Sequence, residues 1–367
     1  MDGKLPILFD NKKCYDIIYD SSFDKLSDFI KEYSGGNRKL CVVSDSKVAS
    51  IYSDAILHVL EDVSDRVVLF TFPEGEASKN LDVVRDIYVK LIEEHFNRGD
   101  MLIALGGGVT GDMCGYAAAT YLRGIDFIQV PTSLLADVDS SIGGKTGVDF
   151  EQYKNMVGAF HMPKLVLINV DTLKTLDKRQ LWSGMGEVVK SALIRDAELY
   201  NWLEENIDNI GKLDDTALLS MIYRCNIIKK NVVELDPHEI TGERALLNFG
   251  HTLGHAIEKY MDFQLLHGEC VSIGCMMAAY ISEKKGSLDK ASLDRICRLI
   301  YGSFNLPKLG DIDVKRIVEF THSDKKATAG GIKFILLKGI GDAYIDMSVS
   351  DSDMEDAINW YLNQIQM

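Results

Sequence analysis

The chain has no CxxC pair, and its cysteines are scattered at Cys14, Cys41, Cys114, Cys225, Cys270, Cys275 and Cys297. That odd, dispersed set argues against a disulfide framework and a Cys-rich zinc site, and it fits free thiols in a reducing compartment. No stretch approaches the ~20 apolar residues that span a bilayer. The only apolar run near the start, LPIL, is too short for the core of a secretory signal. A cytoplasmic protein without a membrane partner is expected. Positive charge is in deficit, with 40 Lys and Arg against 55 Asp and Glu, a net charge of −15. Nucleic-acid binding rests on cations neutralising phosphates, so a broad nucleic-acid surface is excluded. A local basic pocket for an anionic substrate is not. Internal repeats and low-complexity tracts are also missing.

What is present is a chain of 367 residues, 46% hydrophobic, enough for a large core and two or three domains at about 100–200 residues each. Short β-branched runs lie at 39–46, 67–72, 101–105, 126–130 and 164–170, with helical patterns such as 80–96 between several of them. Alternating strand and helix predicts a mostly parallel, Rossmann-like sheet covered on both faces. The near-continuous apolar character of the runs fits strands buried on both sides. Beyond about residue 172, segments of helical period dominate, at 178–196, 196–210, 214–234, 247–261, 269–285, 289–303 and 351–366. The late run 332–346 reads as a small hairpin. The expected division is an α/β nucleotide-binding domain over 1–175 and a mainly α-helical metal- and substrate-binding domain over 176–367.

Three stretches carry chemistry. In MLIALGGGVTGD, a buried strand leads into Gly106, Gly107, Gly108 and Gly111, which satisfy G-x-G-x-x-G. Glycines let backbone N–H groups approach a pyrophosphate, and a helix N-terminus favours its charge. The same spacing also occurs in turns that bind nothing, and here it sits later in the chain than a standard Rossmann fingerprint. Asp45, ending the strand CVVSD, suits either a ribose hydroxyl or a helix cap. In PTSLLADVDSSIGGKTGVDF, Lys145 follows tight turns and the polar Asp139-Ser140-Ser141, with Lys154 and Asn155 downstream. Such a cation suits a phosphate or carboxylate.

The third stretch is NFGHTLGHAIEKYMDFQLLHGE at 248–269. His251 and His255 are four apart and share one helix face. With His267 and with Glu187 of GMGEVVK they form a donor set that catalytic zinc uses while leaving one position open. The residue types alone leave open which three bind metal and which does acid–base work. His161 and His238 lack such company and read as structural. Arg123, Lys145, Lys154, Lys190, Lys229, Arg244, Lys325 and Lys326 accompany these motifs, as a substrate bearing both a carboxylate and a phosphate requires.

The combination of PEGEASK, GGGVTGD, PTSLLADVDSSIGGKTG, KNMVGAFHMP, GMGEVVK, ERALLNFGHTLGHAIE, LLHGE and DKKATAGGIKFILLKGIGDA resembles the 3-dehydroquinate synthases, sugar phosphate cyclases, over nearly the whole chain. The resemblance implies a homodimer that uses NAD and Zn2+ or Co2+ to convert 3-deoxy-D-arabino-heptulosonate 7-phosphate to 3-dehydroquinate and phosphate. It places the metal on Glu187, His251 and His267. It places NAD on Asp45, Glu76, Lys79, Gly107, Gly108 and Asp112, then on Thr132, Ser133, Asp139, Lys145, Lys154, Thr172 and Thr175. Substrate and catalytic roles fall on Asp139, Lys145, Asn155, Lys190, Lys229, Arg244, Asn248 and His255. Arg123 resembles an arginine given across the dimer, and Lys325 with Lys326 resembles a loop closing on substrate. Many relatives have Gln, Thr and His where this chain has Asp137, Ser133 and Ser191, and DPHEITGER is one residue longer before Arg244. The competing readings are another sugar phosphate cyclase, a metal-dependent polyol dehydrogenase and a non-catalytic NAD- or phosphate-sensing protein.

Overall fold

The computed structural model describes all residues except 1–2, 35–37, 152, 238, 323–326, 329–330 and 366–367. Lys325, Lys326 and His238 therefore lie outside the described residues. The chain forms two compact units, Met1–Leu176 and Asp177–Met367.

The first unit opens with β1 (Lys4–Phe9) and β2 (Lys12–Asp20), an antiparallel hairpin. Then follow α1 (Leu26–Ser34), β3 (Leu40–Asp45), α2 (Ser46–Leu60), β4 (Val67–Phe72), α3 (Leu81–Glu93), β5 (Met101–Gly106), α4 (Gly108–Thr120) and β6 (Asp126–Pro131). A second hairpin, β7 (Lys145–Phe150) and β8 (Tyr153–Phe160), precedes β9 (Leu165–Asn169). The main sheet runs β1-β2-β9-β6-β5-β3-β4, and every pair except β1–β2 is parallel. Side chains of a strand alternate between faces, and β3 shows the result. Cys41 and Val43 join α3 and α4 through Ile87, Leu91, Met113 and Ala117. Leu40 and Val42 join α1 and α2 through Leu26, Ile30, Ile56 and Leu60. Helices on both faces make the parallel, doubly covered sheet that the continuous apolar runs predict. The two hairpins were not expected. In the second hairpin the strands are broken by Gly147 and Gly158 and most of β8 is exposed, so it carries little periodic signal.

The second unit contains α5 (Lys178–Arg195), α6 (Ala197–Gly211), α7 (Asp215–Leu235), α8 (His251–Tyr260), α9 (His267–Lys284), α10 (Lys290–Ser303) and α11 (Val314–His322). Two-residue strands β10 (Ala327–Thr328) and β11 (Gly331–Ile332) pair, as do β12 (Phe334–Gly339) and β13 (Asp342–Asp346), before α12 (Asp351–Ile365). Helix α9 is buried on every face from Gly268 to Ala279. It is the central helix, packed on α5, α8, α10 and α12. Among the described residues, no helix is long and apolar enough to cross a membrane.

Between β6 and β7 the chain makes one π-helical turn, Ala136–Ser140. Asp137 of that turn is fully buried, and neither carboxylate oxygen meets a hydrogen-bond partner among the described residues. Burial pushes its pKa well above the ordinary carboxylate value. The unfolded chain releases this proton near pH ~4, whereas the folded chain retains it, so Asp137 costs stability as pH rises past that value. Asp137→Asn keeps the shape and removes the titration. Thermal midpoints measured from pH 4.5 to 8 should fall less steeply for Asp137→Asn than for the natural chain. Parallel profiles would mean that Asp137 does not hold a buried proton.

Candidate active site

The chemistry of the second unit is assembled by three helices that touch at glycines. A Cβ on Gly268 would lie 1.8 Å from the Ser183 carbonyl oxygen, and one on Gly186 would lie 2.4 Å from the Gly268 carbonyl oxygen. One on Gly274 would lie 1.9 Å from the Gly250 carbonyl oxygen. Backbones of α5, α8 and α9 therefore meet without intervening side chains. Each contact adjoins a candidate ligand: Gly186 precedes Glu187, Gly250 precedes His251, and Gly268 follows His267. Gly250 also caps α8 in a left-handed conformation, φ 78°, that a β-carbon disfavours.

The result is a tight donor cluster. Oε1 of buried Glu187 lies 3.5 Å from His251 Nε2 and 3.4 Å from His267 Nε2. Both separations exceed a normal hydrogen bond, and Oε1 has no hydrogen-bond partner among the described residues. One ring nitrogen of each of His251, His255 and His267 falls within 4.8 Å of the others. The His251 Nδ1 lies 3.1 Å from the Phe249 carbonyl oxygen, which leaves Nε2 as a lone-pair donor toward Glu187. The His267 Nδ1 lies 3.7 Å from Glu258 Oε2. An unpartnered carboxylate oxygen and two converging imidazole nitrogens fit a divalent cation of the zinc or cobalt type.

Electrostatics separate the members. Burial opposes ionisation of Glu187, but buried Lys190, ion-paired to it, and the two histidines hold its pKa well below the usual carboxylate range. Burial also lowers His251, to about 3, despite Glu187. Burial acts likewise on His267, but Glu187 and Glu258 outweigh it and raise the pKa to about 9. Lys229 on α7 and Arg244, which opens the helical turn Arg244–Asn248, are buried as well. The Arg244 guanidinium lies 3.3 Å from Glu239 Oε1 and donates to the Pro237 carbonyl at 3.2 Å. Asn248 Nδ2 donates to the Ala245 carbonyl oxygen at 3.1 Å. The loop carrying the extra residue is organised on Asp236, whose carboxylate accepts the N–H groups of Ile240, Thr241, Gly242 and Arg244. Burial opposes ionisation of that carboxyl, yet these bonds bring its pKa down to about 2.

The first unit gathers a separate polar group. Gly107 caps α4 directly after β5, as the fingerprint predicts. A Cβ on Gly107 would lie 3.2 Å from Ser133 Oγ, and one on Gly108 would lie 3.0 Å from Ser140 Oγ, so the two loops abut. Thr132 donates its N–H to the Gly106 carbonyl at 3.1 Å, and Asp139 lies partly exposed in the π turn. Buried Lys79 sits 2.7 Å from Asp112 and donates to Asn155 Oδ1 at 2.6 Å. Burial disfavours its charge, but Asp112 and Glu76 raise its pKa overall. Lys154 pairs with Glu76 at 3.6 Å, while Lys145 is exposed at the start of β7. Asp45 is a helix cap: Oδ1 accepts the N–H groups of Lys47 and Val48, both at 3.0 Å. Thr172 is buried on a helical turn, and Thr175 Oγ1 meets the Tyr52 hydroxyl at 2.5 Å. Arg123 stands apart, exposed beyond α4 with a positive φ of 69°. His161 stacks on Phe127 at 5.4 Å, consistent with a structural role.

Sequence reasoning missed Glu258 and Glu239. Glu258 had a readable signal, since His251, His255 and Glu258 stand at i, i+4 and i+7 on one face of α8. Glu239 had none, because its pairing with Arg244 depends on the loop's conformation.

Comparison with known proteins points one way. The family model for the 3-dehydroquinate synthase N-terminal domain matches residues 69–183, and that for the 3-dehydroquinate synthase C-terminal domain matches residues 184–327. A 3-dehydroquinate synthase of Shewanella pealeana is 44% identical over 326 residues, covering 88% of this chain and 90% of the relative. The 2-epi-5-epi-valiolone synthase of Streptomyces hygroscopicus, solved with NAD+ and Zn2+, superposes with a TM-score of 0.87 at 27% identity, covering 98% of this chain and 100% of that one. A 2-deoxy-scyllo-inosose synthase with carbaglucose-6-phosphate, NAD+ and Co2+ gives a TM-score of 0.88 at 25% identity, covering 97% and 99%.

The glycine contacts give a direct test. Gly268→Ala drives a methyl into the Ser183 carbonyl and should destabilise the protein by about 1–3 kcal/mol or more. Chemical denaturation measures the loss, and metal content should fall with it. A variant as stable as the natural chain would mean that α5 and α9 do not meet at this glycine.

Proposed function

The chain belongs to the 3-dehydroquinate synthase family, and on that premise we propose which of its residues carry the reaction. It converts 3-deoxy-D-arabino-heptulosonate 7-phosphate to 3-dehydroquinate and phosphate by transient oxidation, phosphate elimination, reduction, ring opening and aldol closure. When bound, NAD supplies a reversible hydride acceptor and a divalent metal supplies Lewis acidity to a substrate hydroxyl.

The metal is held by Glu187, His251 and His267. The observation that carries this reading is Glu187 Oε1, buried without a hydrogen-bond partner among the described residues and faced by two imidazole nitrogens. Lys190 keeps that carboxylate ionised. NAD is held by the glycine turn at Gly107 and Gly108, whose backbone N–H groups and helix N-terminus suit a pyrophosphate. Asp45, Thr132, Ser133, Asp139, Thr172 and Thr175 bind the rest of the cofactor. Glu76, Lys79, Asp112 and Lys154 form the ion-paired network that supports the same site.

Lys145, Lys229 and Arg244 clamp the substrate's carboxylate and phosphate, with Asn248 placed by the same turn as Arg244. Burial of Lys229 and Arg244 strengthens their pull on an anion, because little water screens them. His255 stands beside the two ligand imidazoles, with ring centroids 5.0 and 5.7 Å away. It serves the phosphate side as a proton relay, together with Asn155 and Lys326, and the departing phosphate itself takes the proton. The active form is a cytoplasmic homodimer in which Arg123 reaches the partner's phosphate site. The left-handed backbone at Leu122 and Arg123, and the 40% exposure of Leu122, support an outward-facing role for this turn.

The reading is tested with metal-loaded protein, catalytic NAD+ and excess 3-deoxy-D-arabino-heptulosonate 7-phosphate. Many equivalents of phosphate should appear without NADH accumulating. Stoichiometric NADH would instead identify a dehydrogenase. His251→Ala should lose metal and activity together, by metal analysis and assay. His255→Ala should keep its metal while turnover drops about 10²–10⁴-fold, the usual contribution of a positioned acid–base group. Equal metal loss in both variants would overturn the division into ligand and relay.

A further inference from the structure

We propose that Glu258 is a positioning residue that orients His267 for metal binding and makes it the more strongly donating of the two imidazole ligands. The inference rests on the reading of Glu187, His251 and His267 as the metal-holding set, and it concerns a residue outside that set.

Glu258 is only 2% exposed, an unusual place for an acid unless a partner compensates its charge. Its Oε2 lies 3.7 Å from His267 Nδ1, while the same ring's Nε2 lies 3.4 Å from Glu187 Oε1. The imidazole is thus flanked by a carboxylate at each nitrogen. Glu258 occupies the nitrogen turned away from Glu187, so it cannot share a cation bound at Nε2. At 3.7 Å, longer than a normal hydrogen bond, what it can do is draw the ring proton to Nδ1 electrostatically. That fixes the tautomer, leaves the Nε2 lone pair pointing at Glu187, and pushes electron density toward it.

The two ligand histidines are oriented by different means. His251 is steered by its own segment, through the Phe249 carbonyl at 3.1 Å. His267 is the first residue of α9 and is partly exposed, and the carboxylate facing its Nδ1 comes from another helix, α8. Rotation of its ring is therefore restrained by α8. The i, i+4, i+7 spacing of His251, His255 and Glu258 places the ligand, the relay and the orienting carboxylate on one helical face. A carboxylate is a stronger acceptor than a carbonyl, so His267 becomes the more basic donor.

The test compares the natural chain with Glu258→Gln, Glu258→Asp and His267→Ala. Zinc affinity of each metal-free protein is measured by competition with a chromophoric chelator, and the visible spectrum of each Co2+-loaded protein is recorded. Glu258→Gln should bind zinc about 10–100-fold more weakly and shift the cobalt bands, because the ligand field at His267 changes. Glu258→Asp, which withdraws the carboxylate by one methylene, should fall between, and it decides the matter if the Gln variant does not fold. Unchanged affinity and cobalt spectrum in the Glu258 variants, alongside metal loss in His267→Ala, would overturn the role of Glu258 alone. Retention of metal at natural affinity by His267→Ala would overturn the ligand assignment beneath it.

Discussion

The close approach of α5, α8 and α9 is the constraint on which the second unit depends. Carboxylates and imidazoles must come within a few ångströms of one point to hold a cation, and helices normally pack with axes 8–10 Å apart because side chains keep them there. Glycines at 186, 250, 268 and 274 remove those side chains at the contacts. The candidate donors adjoin the glycines in sequence, so the residues that let the backbones meet also set where Glu187, His251 and His267 stand. Stability and donor geometry are therefore coupled: widening the contact costs packing and separates the donors together.

Buried charge is the second organising feature. The chain carries a net charge of −15, yet Lys79, Lys190, Lys229 and Arg244 are buried. Isolated buried cations are costly, and they persist where carboxylates compensate them. Lys79 has Asp112, Lys190 has Glu187, and Arg244 has Glu239. These pairs keep cations at fixed local sites inside an acidic protein rather than spread over it as a broad field.

The first unit solves a different problem. Its parallel sheet delivers β5 into a glycine turn that caps α4, and the abutting turn at Ser133 and Ser140 crowds any β-carbon there. Exposed backbone N–H groups at a helix N-terminus are the means by which such folds bind phosphates.

Local pattern determined much of this protein. Apolar runs marked the parallel strands, helical periodicity marked the second unit's helices, the glycine fingerprint marked the strand-to-helix turn, and His251 with His255 marked a shared face. These features depend on neighbours within a few residues, which the chain displays directly. Tertiary structure decided the rest. It set Asp45 as the cap of α2 and formed the hairpins β1–β2 and β7–β8. It also brought Glu187 across from α5 to histidines more than sixty residues later and set Glu258 behind His267. Contacts between distant segments follow from how whole faces pack, and packing is a property of the assembled core that no local period encodes.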